Sequence, residues 1–249
     1  MSENRIPKII HYCWFGKSPL TNLTLKCIDS WKKYLPEYEV KIWNEDNFDI
    51  NMIPYTQQAY AAKKYAYVSD YARFWILYHY GGVYFDTDVE VIKPMDEIIQ
   101  AGSYMGSENI AQPDSKLRVN SGLGIAAIKG LPLYKDILDY YSSLSFVVNG
   151  KMKLTTVVEI ISNILYSKGL KSVNEIQHVE GVTIYPAEYF ASRNVAEFSI
   201  PRTNNSYSIH YYVGSWMPKR YRILYKCLSF LPSNWVRFMI RTKKKVFRK

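Results

Sequence analysis

Residues Tyr65–Val91, YAYVSDYARFWILYHYGGVYFDTDVEV, place two aspartates one residue apart at the tip of an apolar run. Carboxylates in such a segment are costly to bury unless a cation or hydrogen bonds compensate them. From Tyr55 to Tyr80 there is no Gly or Pro, and the apolar spacing predicts one long helix closed by Gly81-Gly82. Val83–Ile92 then reads as a strand. Alternate side chains of a strand share a face, so Tyr84, Asp86 and Asp88 point one way and Phe85, Thr87 and Val89 the other. Two carboxylates about 7 Å apart on one face can address a single hard cation, and Mg²⁺ or Mn²⁺ prefers oxygen ligands while keeping positions for phosphate and water. Two strand-end aspartates standing in solvent is the plain alternative.

The preceding helix adds to the case. Ala66, Asp70, Arg73 and Leu77 follow the four-three-four spacing of one helix face, so Asp70 and Arg73 lie within the apolar stripe. One reading is an internal ion pair. The other is an Arg near a diphosphate and an Asp that accepts from sugar or ribose hydroxyls. The Gly81-Gly82 turn would bring this helix and the strand with the aspartates into one crevice.

Working outward, Ile6–Gly16 opens as a strand, Asn22–Tyr34 has helical spacing, and Tyr38–Trp43 is a second strand stopped by the polar turn NEDN. Val119–Ile128 is strand-like, Leu133–Leu144 and Thr155–Ser167 are helical, and Val182–Tyr185 and Tyr207–Tyr212 are short strands. Strands alternating with helices predict an α/β protein with a central sheet. The run GLGIAA at Gly122–Ala127 matches a dinucleotide fingerprint in letters only, because no apolar strand precedes it and Lys129-Gly130-Leu131-Pro132 breaks the chain soon after.

Charge divides the chain. The net charge is +10, yet residues 1–197 hold 20 Lys and Arg against 22 Asp and Glu, while residues 198–249 hold 12 Lys and Arg and no acid. A near-neutral body over residues 1–217 and two short basic amphipathic helices over 218–249, divided by Pro232, are the expected domains. Cys13, Cys27 and Cys227 are odd in number and lack CxxC spacing, which argues against a disulfide framework and a cysteine zinc site. MSENRIPK lacks the apolar core of a secretory signal, and no apolar run is long enough to span a bilayer. The expectation is a cytoplasmic protein, peripheral at the inner face of the membrane, its tail on anionic lipid; a solvated or disordered tail is the alternative.

Four segments carry a family resemblance: IPKIIHYCWFG (6–16), AYVSDYAR (66–73), LYHYGGVYFDTDVEV (77–91) and HYYVGSW (210–216). Together they resemble the DXD-containing sugar transferases of glycosyltransferase family 32, which include capsular polysaccharide and outer-chain mannosyl transferases. The resemblance implies a GT-A fold, with a mixed central sheet flanked by helices, a nucleotide-sugar donor, a divalent metal and retention of anomeric configuration. Carried over by motif, it implies that Asp88 coordinates metal directly, that Asp86 meets the donor or the metal, and that Asp70 and Arg73 hold the transferred sugar and its phosphate. It further implies Trp14 stacked on the base, backbone near Tyr12 and Cys13 reading the base edge, His210 as a third metal ligand, and Ser215 and Trp216 at the β-phosphate. Asn120 and Ser121 are expected sugar or acceptor contacts.

The expected function is transfer of a hexose, with a UDP-sugar favoured and GDP-mannose as alternative, to a saccharide acceptor, free or lipid-linked, in surface or capsular polysaccharide synthesis. A metal-dependent nucleotidyltransferase would also want paired aspartates and an Arg, but no P-loop or kinase-like motif is present. Nucleic-acid binding through WVRFMIRTKKKVFRK (235–249) is weighed and not expected, because the apolar spacing there suits an interfacial helix better.

Overall fold

The computed structural model describes residues 5–113, 115–192 and 200–214. The expected basic helices of 218–249, together with Ser215 and Trp216, lie outside the described residues.

The chain opens as a β-α-β unit. β1 (Ile9–Cys13) leads to α1 (Asn22–Tyr34), whose N-cap Thr21 accepts the Thr24 N–H at 3.1 Å. β2 (Glu39–Trp43) then lies parallel to β1, in register from Ile9 opposite Glu39 to Cys13 opposite Trp43. A parallel pair needs a crossover, and α1 supplies it while burying Cys27, Ile28 and Trp31.

The single helix expected from Tyr55 to Tyr80 is two, α2 (Pro54–Ala61) and α3 (Tyr65–Tyr80). Between them Lys63 takes a left-handed φ of 56°, and the N–H groups of Lys63 and Lys64 bond back to Tyr60 and Ala59 carbonyls at 2.8 Å each. That pattern closes a helix, here without the glycine that ordinarily announces it. The expected stop at Gly81-Gly82 does occur: φ is 67° and 105°, and β3 (Gly82–Tyr84) runs back parallel to β1. A Cβ on Gly82 would lie 2.7 Å from the Ile9 carbonyl oxygen, so the turn has no room for a side chain.

His11 pins this turn from below. Trp43 Nε1 donates to His11 Nδ1 at 3.1 Å, which leaves His11 Nε2 as the donor to the Gly81 carbonyl at 3.0 Å. The ring is fully buried, and burial holds its pKa down at about 4.

The strand expected over Val83–Ile92 is also interrupted. β3 ends at Tyr84, a turn closes from the Asp86 carbonyl to the Val89 N–H at 3.0 Å, and β4 (Val89–Val91) leaves the main sheet. It pairs antiparallel with β12 (Ser208–His210), His210 opposite Val89. The divergence follows from packing: Val89 and Val91 bury beside α1, where Trp31 Nε1 donates to the Val89 carbonyl and the Val91 N–H donates to Ser30 Oγ.

The remaining elements complete a three-layer sandwich. α4 (Asp96–Gln100) and β5 (Tyr104–Ser107) were not expected; β6 (Val119–Asn120) and β7 (Ile125–Ala127) divide the expected strand Val119–Ile128 at a one-turn 3₁₀ helix, Ser121–Leu123. α5 (Pro132–Ser142) and α6 (Val157–Ser167) flank a small hairpin of β8 (Val147–Val148) and β9 (Lys151–Met152), and β10 (Gln177–Val179) precedes β11 (Val182–Tyr185). The main sheet has the order β10-β11-β5-β7-β3-β1-β2, with β6 beside β5. It is mixed: β1 pairs in parallel with β2 and β3, and β5 with β11, while β7 joins β3 and β5 antiparallel. One core joins the sheet to α2, α3, α5 and α6, and a second joins it to α1 and α4. This is the mixed sheet flanked by helices that the sequence leads one to expect. Among the described residues no helix is long and apolar enough to cross a membrane.

Candidate active site

Helix and strand rises explain how Asp70 meets Asp86. Eleven helical residues before Gly81 and five extended ones after it each span about 16 Å, so the chain that turns at Gly81 returns to the level of Asp70 as it reaches Asp86. Arg73 joins the two. Its Nη2 lies 2.8 Å from Asp70 Oδ1 and 3.1 Å from Asp86 Oδ1, its Nη1 donates to Ser121 Oγ at 3.0 Å, and its Nε donates to the Ser69 carbonyl at 3.2 Å. The internal ion pair is therefore present, and it lies against Asp86. The guanidinium is buried, with its N–H groups spent on carboxylates and a serine, and Tyr84 stacks beneath it at 5.0 Å.

Asp88 is held differently. It accepts from His210 Nε2 at 3.1 Å and from the Val213 N–H at 2.8 Å, because β12 pairs with β4 and carries His210 alongside. Asp86, Asp88 and His210 each offer a ligand atom, and these atoms all lie within 4.8 Å of one another. Ligands about 2.1 Å from an ion and at right angles sit about 3 Å apart, which is the His210–Asp88 spacing. Two carboxylate oxygens and one imidazole nitrogen could hold a divalent cation.

Electrostatics point the same way. Burial raises the Asp70 carboxyl to about 7, partly opposed by Arg73, with Asp86 adding to the rise. Burial likewise raises Asp86 against the pull of Arg73, with Asp88 raising it further. Asp88 is also pushed up by burial, but the His210 charge and hydrogen bond and the Val213 N–H outweigh this and hold it below the usual range. Arg73 pairs with Asp70 and Asp86 and His210 pairs with Asp88, so three carboxylates share one permanent cation and the ionised cluster would favour a divalent cation.

The other expected residues divide. Ser121 is fully buried against Arg73. Asn120 is buried with both ends of its amide engaged: Nδ2 donates to Glu108 Oε2 at 2.8 Å and Oδ1 accepts the Gly122 N–H at 2.7 Å. The Tyr12 ring packs on Trp31 in the second core, and the half-buried Trp14 donates from Nε1 to the Ser18 carbonyl at 2.6 Å.

Three contributors escaped the sequence reading. Tyr84 donates to Asp86 Oδ1 at 3.0 Å, and the alternation that put it on the aspartates' face was the available signal. A Cβ on Gly122 would fall 2.2 Å from Asp86 Oδ2, so this glycine of the false fingerprint is there for closeness to a carboxylate. The Val213 N–H has no side-chain signature at all.

Residues 21–104 match the family described as glycosyltransferase sugar-binding region containing DXD motif, and Asp86-Thr87-Asp88 is that motif here. Inositol phosphoceramide mannosyltransferase 1 of Schizosaccharomyces pombe (strain 972 / ATCC 24843) is 27% identical over 112 residues, covering 41% of this chain and 34% of that protein. The matched segment thus spans about a third of the curated relative's length. Similar solved structures include the PaToxG glycosyltransferase, 19% identical with a TM-score of 0.48 over 67% of this chain and 71% of that one. The galactosyltransferase LgtC is 13% identical with a TM-score of 0.44 over 91% and 98% of the two chains.

Proposed function

We propose that this chain is a metal-dependent glycosyltransferase of GT-A type that moves a hexose from a nucleotide-sugar donor to a saccharide acceptor. The observation that carries the reading is the convergence of Asp86, Asp88 and His210 beside the Asp70–Arg73 pair. In the transfer the bond from the anomeric carbon to the diphosphate oxygen breaks, the acceptor oxygen bonds to that carbon, and the acceptor proton passes to the departing diphosphate oxygen. Asp86, Asp88 and His210 would hold a divalent ion, which would supply positive charge to the diphosphate leaving group. Arg73 keeps Asp70 and Asp86 in place and adds a fixed positive charge beside the metal site. Asp70 accepts from hydroxyls of the transferred sugar. Trp14 and the backbone at Tyr12 take the base, while Ser215 and Trp216 complete the donor set.

The reaction retains configuration, with the acceptor entering on the face the diphosphate leaves. A UDP-hexose is the preferred donor. GDP-mannose is the second reading, favoured by the mannosyltransferase named among the relatives. The acceptor is a growing surface polysaccharide on a lipid carrier, which the basic residues 218–249 would meet at the cytoplasmic membrane face.

The test is Mn²⁺-dependent release of nucleoside diphosphate from UDP-glucose, UDP-galactose and GDP-mannose. One donor is expected to turn over, with loss of at least about a hundredfold in Asp88→Ala. Near-normal turnover by that variant would sink the site assignment, and release of pyrophosphate would point to nucleotidyl transfer instead.

A further inference from the structure

Glu108 follows β5 directly and its backbone N–H bonds the Arg118 carbonyl at 2.8 Å, so it sits at the sheet end that faces the site. It is 7% exposed. A carboxylate buried to that degree needs compensation, and two groups provide it: the Arg118 guanidinium pairs with Oε1, and Asn120 Nδ2 donates to Oε2 at 2.8 Å. The second contact has a consequence for Asn120. With its nitrogen committed to Glu108, its oxygen is the end that accepts the Gly122 N–H at 2.7 Å.

That bond caps the turn Ser121–Leu123. The turn carries Ser121 Oγ to Arg73 Nη1 and lays the Gly122 backbone against Asp86 Oδ2, while Asp86 Oδ1 is held by Arg73 and Tyr84. Asp86 is therefore gripped on one oxygen by side chains and bounded at the other by a turn whose capping amide is oriented by Glu108.

We propose that Glu108 is a positioning residue for Asp86 and Arg73, acting through the amide of Asn120 and the turn it caps. This rests on the glycosyltransferase reading only for its kinetic consequence; the positioning itself is a property of the apo protein and its metal site. Glu108→Gln cannot satisfy both partners as Glu108 does, because whichever way the new amide turns, its nitrogen faces either Arg118 or the Asn120 nitrogen. Asn120→Asp alone sets two carboxylates against each other. Combined, the two changes restore every bond: the oxygen of the amide introduced by E108Q accepts from Arg118, its nitrogen donates to the carboxylate introduced by N120D, and that carboxylate still accepts the Gly122 N–H.

The experiment compares wild type, E108Q, N120D and E108Q/N120D in three readouts: thermal midpoint, Mn²⁺ dissociation constant from the free-ion paramagnetic resonance signal, and kcat and KM for whichever of the three donors turns over. The expected result is about tenfold weaker Mn²⁺ binding and a matching loss of kcat/KM in each single variant. The double variant should bind Mn²⁺ within about threefold of wild type, beyond what independent sites would allow. A residue that only supports the fold would lower the midpoint of E108Q while leaving its Mn²⁺ constant unchanged, and that outcome overturns the proposal. So does a double variant no better than N120D. If wild type binds Mn²⁺ but turns over no donor, the functional reading fails while the metal constants still decide the role of Glu108.

Discussion

Gly122 lacks a side chain where Asp86 needs the space. Its backbone is not among those with positive φ, so an alanine there meets no conformational penalty of the left-handed kind, and its effect isolates the contact with the carboxylate. Gly122→Ala is expected to leave the circular dichroism spectrum intact while weakening Mn²⁺ binding by at least about tenfold, read by calorimetric titration; unchanged binding would mean that Asp86 does not depend on this approach. Asp70, Arg73, Asp86 and Asp88 were legible in the sequence because each is a charged residue in an apolar setting. Gly122 and Val213 were not, since a glycine and a backbone N–H look ordinary until a carboxylate is placed beside them, and Tyr84 was legible only as a neighbour on the aspartates' face.

At the scale of elements, the turn between α3 and β3 decides whether helix and strand face each other, and His11 holds it. Its folded pKa of about 4 lies below the ordinary 6.5, so between those values the unfolded chain binds a proton that the folded ring refuses. Stability contributed by the neutral ring is therefore complete above pH 6.5 and lost as the pH falls toward 4, by up to about 3 kcal/mol. His11→Gln keeps a donor for the Gly81 carbonyl but cannot titrate. Denaturant unfolding should show a shallower loss of stability for the variant than for wild type over that window; parallel curves would refute the assignment. Element type was mostly readable, as in α1 and β11, which fall at their expected residues. The breaks were not. Lys63 ends α2 in a left-handed conformation with no glycine, and β4 departs from β3 because its backbone is held by Ser30 and Trp31 of α1 and by β12.

For the molecule as a whole, the body and the C-terminal region differ in charge, with no acid after Glu197. Deleting residues 219–249 removes eleven Lys and Arg. Each contributes about 1 kcal/mol near an anionic leaflet, so the truncated protein is expected to lose co-sedimentation with phosphatidylserine vesicles while keeping turnover of a soluble acceptor. Undiminished sedimentation would count against the anchor. The sequence by itself determined the α/β class, the DXD pair, the buried helix-borne Asp70 and Arg73, and the division of charge, because periodicity and burial cost are properties of neighbouring residues. Only the tertiary structure decided that β4 pairs with β12, and hence that His210, 122 residues beyond Asp88, stands beside it. It also decided that the Ser121–Leu123 turn closes on Asp86, since contacts between distant segments follow from how two cores share one sheet and not from local pattern.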